Sequence, residues 1–121
     1  MQTARYRIDR GNLEGLDPSG AVLWSRRPMG WSAKSISAIP HSSDCIVLCD
    51  PDDEPRGAYR NLLRVSSDGL VVWQADLPSS ENDCYVAVQL RDDILSANTF
   101  SCFAVRLDLV TGRILTKTFT K

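Results

Sequence analysis

The chain has 121 residues, with 14 basic and 15 acidic side chains and a formal net charge of −1. This length fits one domain that buries a core without disulfide or metal staples, and the charge balance argues against nucleic acid as a partner. The N-terminal residues lack the apolar segment of a secretory signal, and no apolar run reaches the length of a membrane span. We therefore expect a cytoplasmic protein without membrane contact, whose four cysteines are free thiols.

About ten strands are predicted, because short apolar or alternating runs lie between turn residues and no window has a helical period. In chain order they cover residues 6–9, 21–25, 35–39, 45–49, 61–65, 70–77, 84–90, 94–99, 101–109 and 113–120. Residues 45–49 are apolar throughout, which predicts a strand buried on both faces. The predicted fold class is all-β and antiparallel.

Three turns in the chain share one sequence pattern. An apolar residue leads into a polar turn that contains Gly20, Gly69 or Gly112, and an apolar strand follows. Glycine suits these places because tight turns need a residue that tolerates positive φ. The glycines are roughly 40 to 50 residues apart, a period typical of the four-stranded blades of a β-propeller.

The three hairpins resemble the repeats of pyrroloquinoline-quinone-type (quinoprotein-like) β-propellers. The resemblance rests on Leu16-Asp17-Pro18-Ser19-Gly20 with Val22-Leu23-Trp24, on Arg64-Val65-Ser66-Ser67-Asp68-Gly69 with Val71-Val72-Trp73, and on Arg106-Leu107-Asp108 with Thr111-Gly112-Arg113-Ile114-Leu115. It implies one all-β domain, residues 1–121, made of a partial repeat (1–30) and two repeats (31–78 and 79–121), which is about two and a half blades. In that family the tryptophan packs between blades, and the third segment has Thr116 in its place.

The chain departs from the quinoprotein enzymes in its chemistry. It has no adjacent-cysteine pair and no recognisable array of calcium ligands, so we expect neither a cofactor nor an enzyme of that class. Since a propeller closes with about four to eight blades, this chain has open sheet edges to protect. They can close within the chain as a barrel or sandwich, in a ring of copies, or with a partner's strand. We prefer association, with a second copy or with a partner.

The one histidine and two of the cysteines are spaced as His41, Cys45 and Cys49. On a strand, residues four apart are about 13 Å from each other, which is too far for a shared metal ion or a disulfide. Buried structural thiols are the favoured interpretation, and no metal site is predicted. His41 lies in a turn, where a surface role is favoured over catalysis.

One candidate binding site is Trp31, in an irregular segment beside Arg26 and Arg27. An exposed aromatic residue with arginines is typical of interface hot spots, although half-buried tryptophans in loops are also common. Trp24 and Trp73 occupy matching positions, and packing in the core or between blades is the favoured interpretation for both.

The second candidate is the proline-bracketed loop at residues 50–57, whose acidic side chains are Asp50, Asp52, Asp53 and Glu54. It lacks the ligand spacing and central glycine of a calcium loop. The simplest interpretation is a solvated loop without a binding role. If the loop has a function, we expect it to contact a basic partner.

The sequence therefore predicts a non-catalytic protein-binding module, with a protein partner and self-association. A concrete version is a cytoplasmic inhibitor or immunity-type protein whose acidic loop meets a basic target. One alternative is a small-ligand or carbohydrate binder, or an enzyme, whose site between blades is lined by Trp24, Trp31 or Trp73. Another is a fragment of a longer propeller.

Overall fold

The computed structural model describes residues 5–50, 58–79 and 82–120. Within these residues the chain is all-β, as predicted, with a single 3₁₀ turn at Pro28–Gly30. The strands are β1 (Arg5–Asp9), β2 (Asn12–Leu16), β3 (Val22–Arg26), β4 (Ser32–Ala38), β5 (Cys45–Asp50), β6 (Ala58–Tyr59), β7 (Leu62–Val65), β8 (Val71–Gln74), β9 (Asp83–Arg91), β10 (Ile94–Thr99), β11 (Phe103–Leu107) and β12 (Ile114–Phe119). No helix in the described part has the length and apolar composition for crossing a membrane.

The strands form three sheets in chain order. The first sheet has the order β1-β2-β3, the second β4-β5-β7-β8, and the third β9-β10-β11-β12 with the two-residue β6 beside β9. Neighbouring strands are antiparallel except β6, which runs parallel to β9. Each sheet is thus a meander, in which strands close in sequence pair with one another.

Two apolar clusters hold the sheets face to face. One joins Leu13 of the first sheet to Cys45, Val47 and Cys49 of β5. The other joins Ile46 and Leu48, on the opposite face of β5, to side chains of the third sheet that include Tyr85, Leu95 and Val105. All five apolar residues of β5 are buried, so the prediction of a strand buried on both faces is confirmed.

The sequence pattern did not predict β2. This strand carries Glu14 and Gly15, which interrupt its apolar alternation. Both have local partners, since Glu14 pairs with Arg7 across the sheet and Gly15 lies against the ring of Trp24, where a Cβ would overlap the indole. Residues 5–26 therefore form a complete three-stranded sheet and not the two separate strands expected.

The predicted glycine turns connect the last two strands of each sheet. The φ angles of Gly20, Gly69 and Gly112 are 92°, 82° and 75°. Their N–H groups donate to the carbonyl oxygens of Asp17, Ser66 and Asp108, the residues that open the turns.

Each tryptophan of the first two sheets docks on the glycine turn of the next sheet. The indole N–H of Trp24 donates to Ser67 O at 2.7 Å, and that of Trp73 donates to Leu109 O at 3.0 Å. A Cβ on Gly112 would lie 2.6 Å from the Trp73 ring. The prediction that both tryptophans pack between sheets is confirmed. The third sheet carries Thr116 opposite Arg106, where the second has Trp73 opposite Arg64.

The outer face of the third sheet is polar across its middle. The cross-strand row Ser96–Arg106–Thr116 occupies the place of Ile46–Arg64–Trp73 in the second sheet. Arg106 and Thr116 are exposed, whereas Ile46 and Trp73 are buried. Val86 and Ile94 leave apolar surface at the margins of this face.

The outer face of the first sheet is charged. Its row Arg7–Glu14–Ser25 stands where the second sheet has Val47–Leu63–Gln74. Arg7 and Glu14 form an ion pair with Nη2 and Oε1 2.6 Å apart. Arg7, Ser25, Arg106 and Thr116 are exposed in these two rows, whereas Glu14 is buried and paired with Arg7.

Antiparallel pairing places two sets of loops at opposite ends of the strands. At one end β3, β5 and β10 finish while β4, β9 and β11 begin; we call it the Trp31 end. The turns with Gly20, Gly69 and Gly112 lie at the other end, the glycine-turn end.

Candidate functional site

The backbone of each candidate binding residue that the structure describes lies at the Trp31 end. Arg26 closes β3, Trp31 immediately precedes β4, and Asp50 closes β5. Asp52, Asp53 and Glu54 lie outside the described residues. The two candidate segments, far apart in sequence, thus belong to the same end of the sheet stack.

Trp31 is half-buried and packs on the cluster between the first and second sheets. Its ring meets Tyr59 edge-on, with centroids 6.2 Å apart and an interplanar angle of 83°. Tyr59 in turn lies beside Cys84 in the parallel pairing of β6 and β9. Trp31 therefore helps fix the fold while leaving part of its ring at the surface.

The two arginines differ from one another. Arg27 donates from Nη1 to Ser32 Oγ at 3.0 Å and from Nη2 to Arg10 O at 3.1 Å, so it ties the β1–β2 turn to the start of β4. The Arg26 side chain reaches back toward the glycine turn of the second sheet, where a Cβ on Gly69 would lie 3.1 Å from its Nε. The structure does not aim the two guanidinium groups at a common point with Trp31.

An aromatic row crosses the Trp31 end from the second sheet to the third. It consists of Trp31, Tyr59 and Phe100, and Cys84 links its parts: Cys84 pairs with Tyr59, and its carbonyl accepts the Phe100 N–H at 2.9 Å. Phe100 is 74% exposed. Sequence reasoning did not single out Phe100; the available signal was an aromatic residue inside the polar turn between two predicted strands.

Two further exposed apolar residues lie at this end of the molecule. Met29, in the 3₁₀ turn, is 52% exposed, and Phe119, at the end of β12, is 57% exposed. The Phe119 ring packs against Phe103 with centroids 5.5 Å apart. Aromatic residues and methionine are the types enriched in protein interfaces.

Charged groups lie beside the aromatic row. Burial, together with the carboxylates of Asp83 and Asp50, raises the pKa of the Cys84 thiol, and Lys34 opposes that shift. Asp83 is buried; its Oδ1 accepts the N–H groups of Cys84 at 2.9 Å and Ser101 at 3.0 Å. Oδ2 of Asp83 is buried and has no hydrogen-bond partner among the described residues. The row therefore has a buried carboxylate, Asp83, and two exposed groups of opposite charge, Asp50 and Lys34, beside it.

The His41, Cys45 and Cys49 segment lies elsewhere. His41 is exposed at the glycine-turn end with φ 61°, whereas burial raises the pKa of both the Cys45 and the Cys49 thiols to about 12. Among residues 5–50, 58–79 and 82–120, no three His, Cys, Asp or Glu side chains are grouped as metal ligands would be.

Two grooves lie on the third sheet. One of about 230 Å³ is lined by Gln89, Arg91, Asp92, Ile94 and Ser96. The other, of about 360 Å³, runs along the β9–β10 and β11–β12 turns and includes Arg106, Val110 and Leu115. Neither groove contains Trp24, Trp31 or Trp73, the residues expected to line a ligand site between sheets.

These features define an all-β protein of three face-to-face antiparallel sheets with an aromatic row at one end. The family model described as a domain of unknown function (DUF7957) matches residues 33–119. Because the match covers most of the chain, the protein belongs to this family. The search of curated proteins finds no match.

A solved structure shares the fold. The crystal structure of the computationally designed Ika8 protein matches with a TM-score of 0.63 at 12% sequence identity. The match covers 98% of this chain and 33% of the designed one, so the chain spans about a third of the length of that protein. At this identity the likeness concerns the fold alone.

Proposed function

We propose that this protein is a non-catalytic protein-binding module that contacts its partner through the aromatic row of Trp31, Tyr59 and Phe100. The observation that carries the proposal is the 74% exposure of Phe100, whose backbone is bonded to Cys84 beside the Trp31–Tyr59 ring pair. Exposed apolar patches mark interaction sites, and aromatic anchors dominate binding energy where a partner covers them.

We further propose that the three sheets are propeller-type repeats. The support is a turn in each sheet that a glycine N–H closes, three residues back at Gly20 and Gly69 and four at Gly112, and the docking of Trp24 and Trp73 on the turn of the next sheet. The first sheet would then be a blade without its innermost strand. This assignment concerns architecture and implies no quinone cofactor.

The polar rows on the outer faces of the first and third sheets argue against self-association. A ring of copies would stack the third sheet of one chain on the first sheet of the next, and would cover Arg106 and Thr116 with a face that carries Arg7 and Glu14. Burying such groups without designed partners is costly. We therefore propose that one chain is the binding unit and that association takes place with a different protein.

The exposed carboxylate of Asp50 beside the row suits a basic partner. Asp50 is exposed where the acidic loop leaves β5, and its charge acts on Cys84 beside the row. An inhibitor or immunity-type protein directed at a basic target is the specific form of the proposal. Opposite charge around an apolar centre speeds association and excludes wrong partners.

The test is affinity capture with matched variants. Tagged wild-type protein, Phe100→Ala and Val110→Ala are exposed to a lysate of the cells that make the protein, and captured proteins are quantified by mass spectrometry. Val110 is 76% exposed at the glycine-turn end, so both variants remove exposed apolar surface. We expect Phe100→Ala to lose the captured partner at least tenfold and Val110→Ala to retain it. Equal retention by both variants contradicts the proposal.

A further inference from the structure

Trp24 and Trp73 dock on the glycine turn of the next sheet in the same way. The indole N–H donates to the carbonyl oxygen of the residue directly after the one that opens the turn, Ser67 in the second sheet and Leu109 in the third. The ring covers the glycine of the same turn, where a Cβ would lie 3.0 Å or less from it. We call such a turn a tryptophan socket, because it offers an acceptor for the indole N–H beside backbone that the ring can reach.

The glycine turn of the first sheet has the geometry of a socket and no tryptophan on it. The N–H of Gly20 donates to Asp17 O and the N–H of Asp17 to Ala21 O, both at 2.9 Å, and the turn of the second sheet closes with the same two bonds. The residue after Asp17 is Pro18, whose carbonyl oxygen accepts no hydrogen bond from a described residue. Pro18 and Gly20 are exposed, and a Cβ on Gly20 would have nothing within 4 Å.

The chain has no tryptophan left for this socket. Trp24 and Trp73 are docked on the second and third sheets, and Trp31 packs at the opposite end of the molecule. The residues outside the described ranges include no aromatic side chain. In a head-to-tail contact between two copies, the third sheet would meet the first, and it has Thr116 in the place of the tryptophan. The indole that fits the socket therefore comes from outside these 121 residues.

The second sheet shows which side chains such a socket receives. Arg64 and Trp73 are cross-strand neighbours on β7 and β8. Both donate to Leu109 O, at 2.8 and 3.0 Å. The turn that receives them opens with Asp108, and the turn of the first sheet likewise opens with an aspartate, Asp17. An arginine beside the tryptophan is therefore the donor pair that the first socket matches best.

The socket of the first sheet also has the charge and the apolar surface that this pair needs. Oδ1 of Asp17 accepts the N–H groups of Ser19 and Ala21, both at 2.9 Å. The Ser19 hydroxyl and these N–H groups lower the pKa of the Asp17 carboxyl, so it is ionised at neutral pH. Leu23, on the strand that follows the turn, is 64% exposed. A carboxylate and an apolar side chain thus flank the free carbonyl oxygen, as an arginine and an indole require.

We propose that the first-sheet socket binds a tryptophan of a different protein, presented on an antiparallel hairpin with an arginine as its cross-strand neighbour. The indole N–H donates to Pro18 O, the ring covers Gly20, and the guanidinium lies beside Asp17. The contact uses the turn and leaves the Arg7–Glu14 ion pair in the middle of the sheet intact. This surface lies at the glycine-turn end, away from the aromatic row, so the inference goes beyond the function proposed above.

The test uses a hairpin of this chain as the probe. A cyclised peptide of residues 62–75 presents Arg64 and Trp73 as cross-strand neighbours, and cyclisation reduces the entropy lost on binding. It is titrated into the isotope-labelled full chain while the amide signals are followed by NMR. We expect the Gly20 amide to shift saturably with a Kd below about 1 mM. The glycine amides of the other two sockets, which hold the chain's own tryptophans, should stay in place.

Altered peptides and one protein variant make the result specific. Trp73→Ala in the peptide should weaken binding at least tenfold, and Trp73→Phe, which keeps a ring and loses the N–H donor, by about fivefold. Asp17→Asn in the protein should weaken binding of the original peptide but not of an Arg64→Gln peptide. Equal shifts at all three socket glycines, no shift at Gly20 up to about 1 mM peptide, or equal binding of the Trp73→Ala peptide overturns the proposal. Phe100→Ala in the protein should leave the titration unchanged, so this inference and the aromatic-row proposal fail independently.

Discussion

The docking of Trp73 on the third turn predicts that Gly112 and Gly20 respond differently to the same substitution. Both have positive φ, 75° and 92°, so alanine strains the backbone at either place. A Cβ on Gly112 would lie 2.6 Å from two atoms of the Trp73 ring, whereas a Cβ on Gly20 would have nothing within 4 Å. Gly20→Ala is therefore a control for backbone strain alone.

The expected losses of unfolding free energy follow from two costs, the backbone strain and the overlap with the Trp73 ring. A left-handed conformation costs an L-residue about 1–2 kcal/mol, and overpacking a rigid neighbour adds about 1–3 kcal/mol. We expect Gly20→Ala to lose about 1–2 kcal/mol of unfolding free energy and Gly112→Ala about 2–5 kcal/mol. For a domain of this size 1 kcal/mol shifts Tm by about 4 °C, so the two variants should differ by about 4–12 °C.

Urea unfolding and thermal melts followed by circular dichroism measure both variants. The same pair is then made in a Trp73→Ala background, where the ring that Gly112 would meet is gone. We expect the cost of Gly112→Ala to fall there to that of Gly20→Ala. Equal losses for the two variants in the wild-type background would refute the docking of Trp73 on the turn of the third sheet.

Three other predictions concern the core, the thiols and the assembly. Asn61 is fully buried, and its side-chain amide bridges the second and third sheets through Cys49 O, Tyr85 O and Tyr85 N–H at 2.7, 2.9 and 2.8 Å. Asn61→Ala should lose about 3 kcal/mol or more of unfolding free energy in urea, because these backbone groups lose their partner. Replacing an asparagine at the surface by alanine should not cause this loss. Burial raises the thiol pKa of Cys45 and Cys49 to about 12 from 9.0, so these thiols ionise at lower pH in the unfolded chain than in the folded one. The unfolding free energy should therefore stay constant below pH about 9 and fall as the pH rises toward 12. A flat profile in that window contradicts their burial as neutral thiols. Because the central rows of both outer faces carry charged and polar side chains, light scattering across a concentration series should give the mass of one chain, and a stable dimer or trimer would contradict the single-chain unit.

Much of the fold could be predicted because it depends on local signals. The glycine turns, the apolar run at residues 45–49 and the period-two strands each have a cause within a few residues, and the structure has them where the sequence placed them. β2 was missed since its non-apolar residues are explained only by partners on the neighbouring strands, which the pattern of β2 alone does not show. Glu14 is matched by Arg7 across the sheet, and Gly15 is matched by the Trp24 ring that covers it.

The candidate surface was predicted less completely. Trp31 and Asp50 were singled out by residue type, and antiparallel pairing brings both to one end of the molecule. Phe100 was not, since its exposure depends on a turn in which Cys102 adopts φ 70° and on the pairing that sets it beside Cys84. Arg27 looked like a binding residue but is engaged by Ser32 and Arg10 O. Residue type indicates candidate binding residues, and only the tertiary contacts show which of them are already hydrogen-bonded within the fold.

Site-specific photo-crosslinking tests the central claim, binding through the aromatic row, most directly. A photoreactive phenylalanine analogue replaces either Phe100 or Val110, and the protein is irradiated in the cells that make it. The account predicts a discrete adduct with one partner protein from position 100 and none from position 110. Adducts from position 110 alone, or the same adducts from both positions, would contradict it.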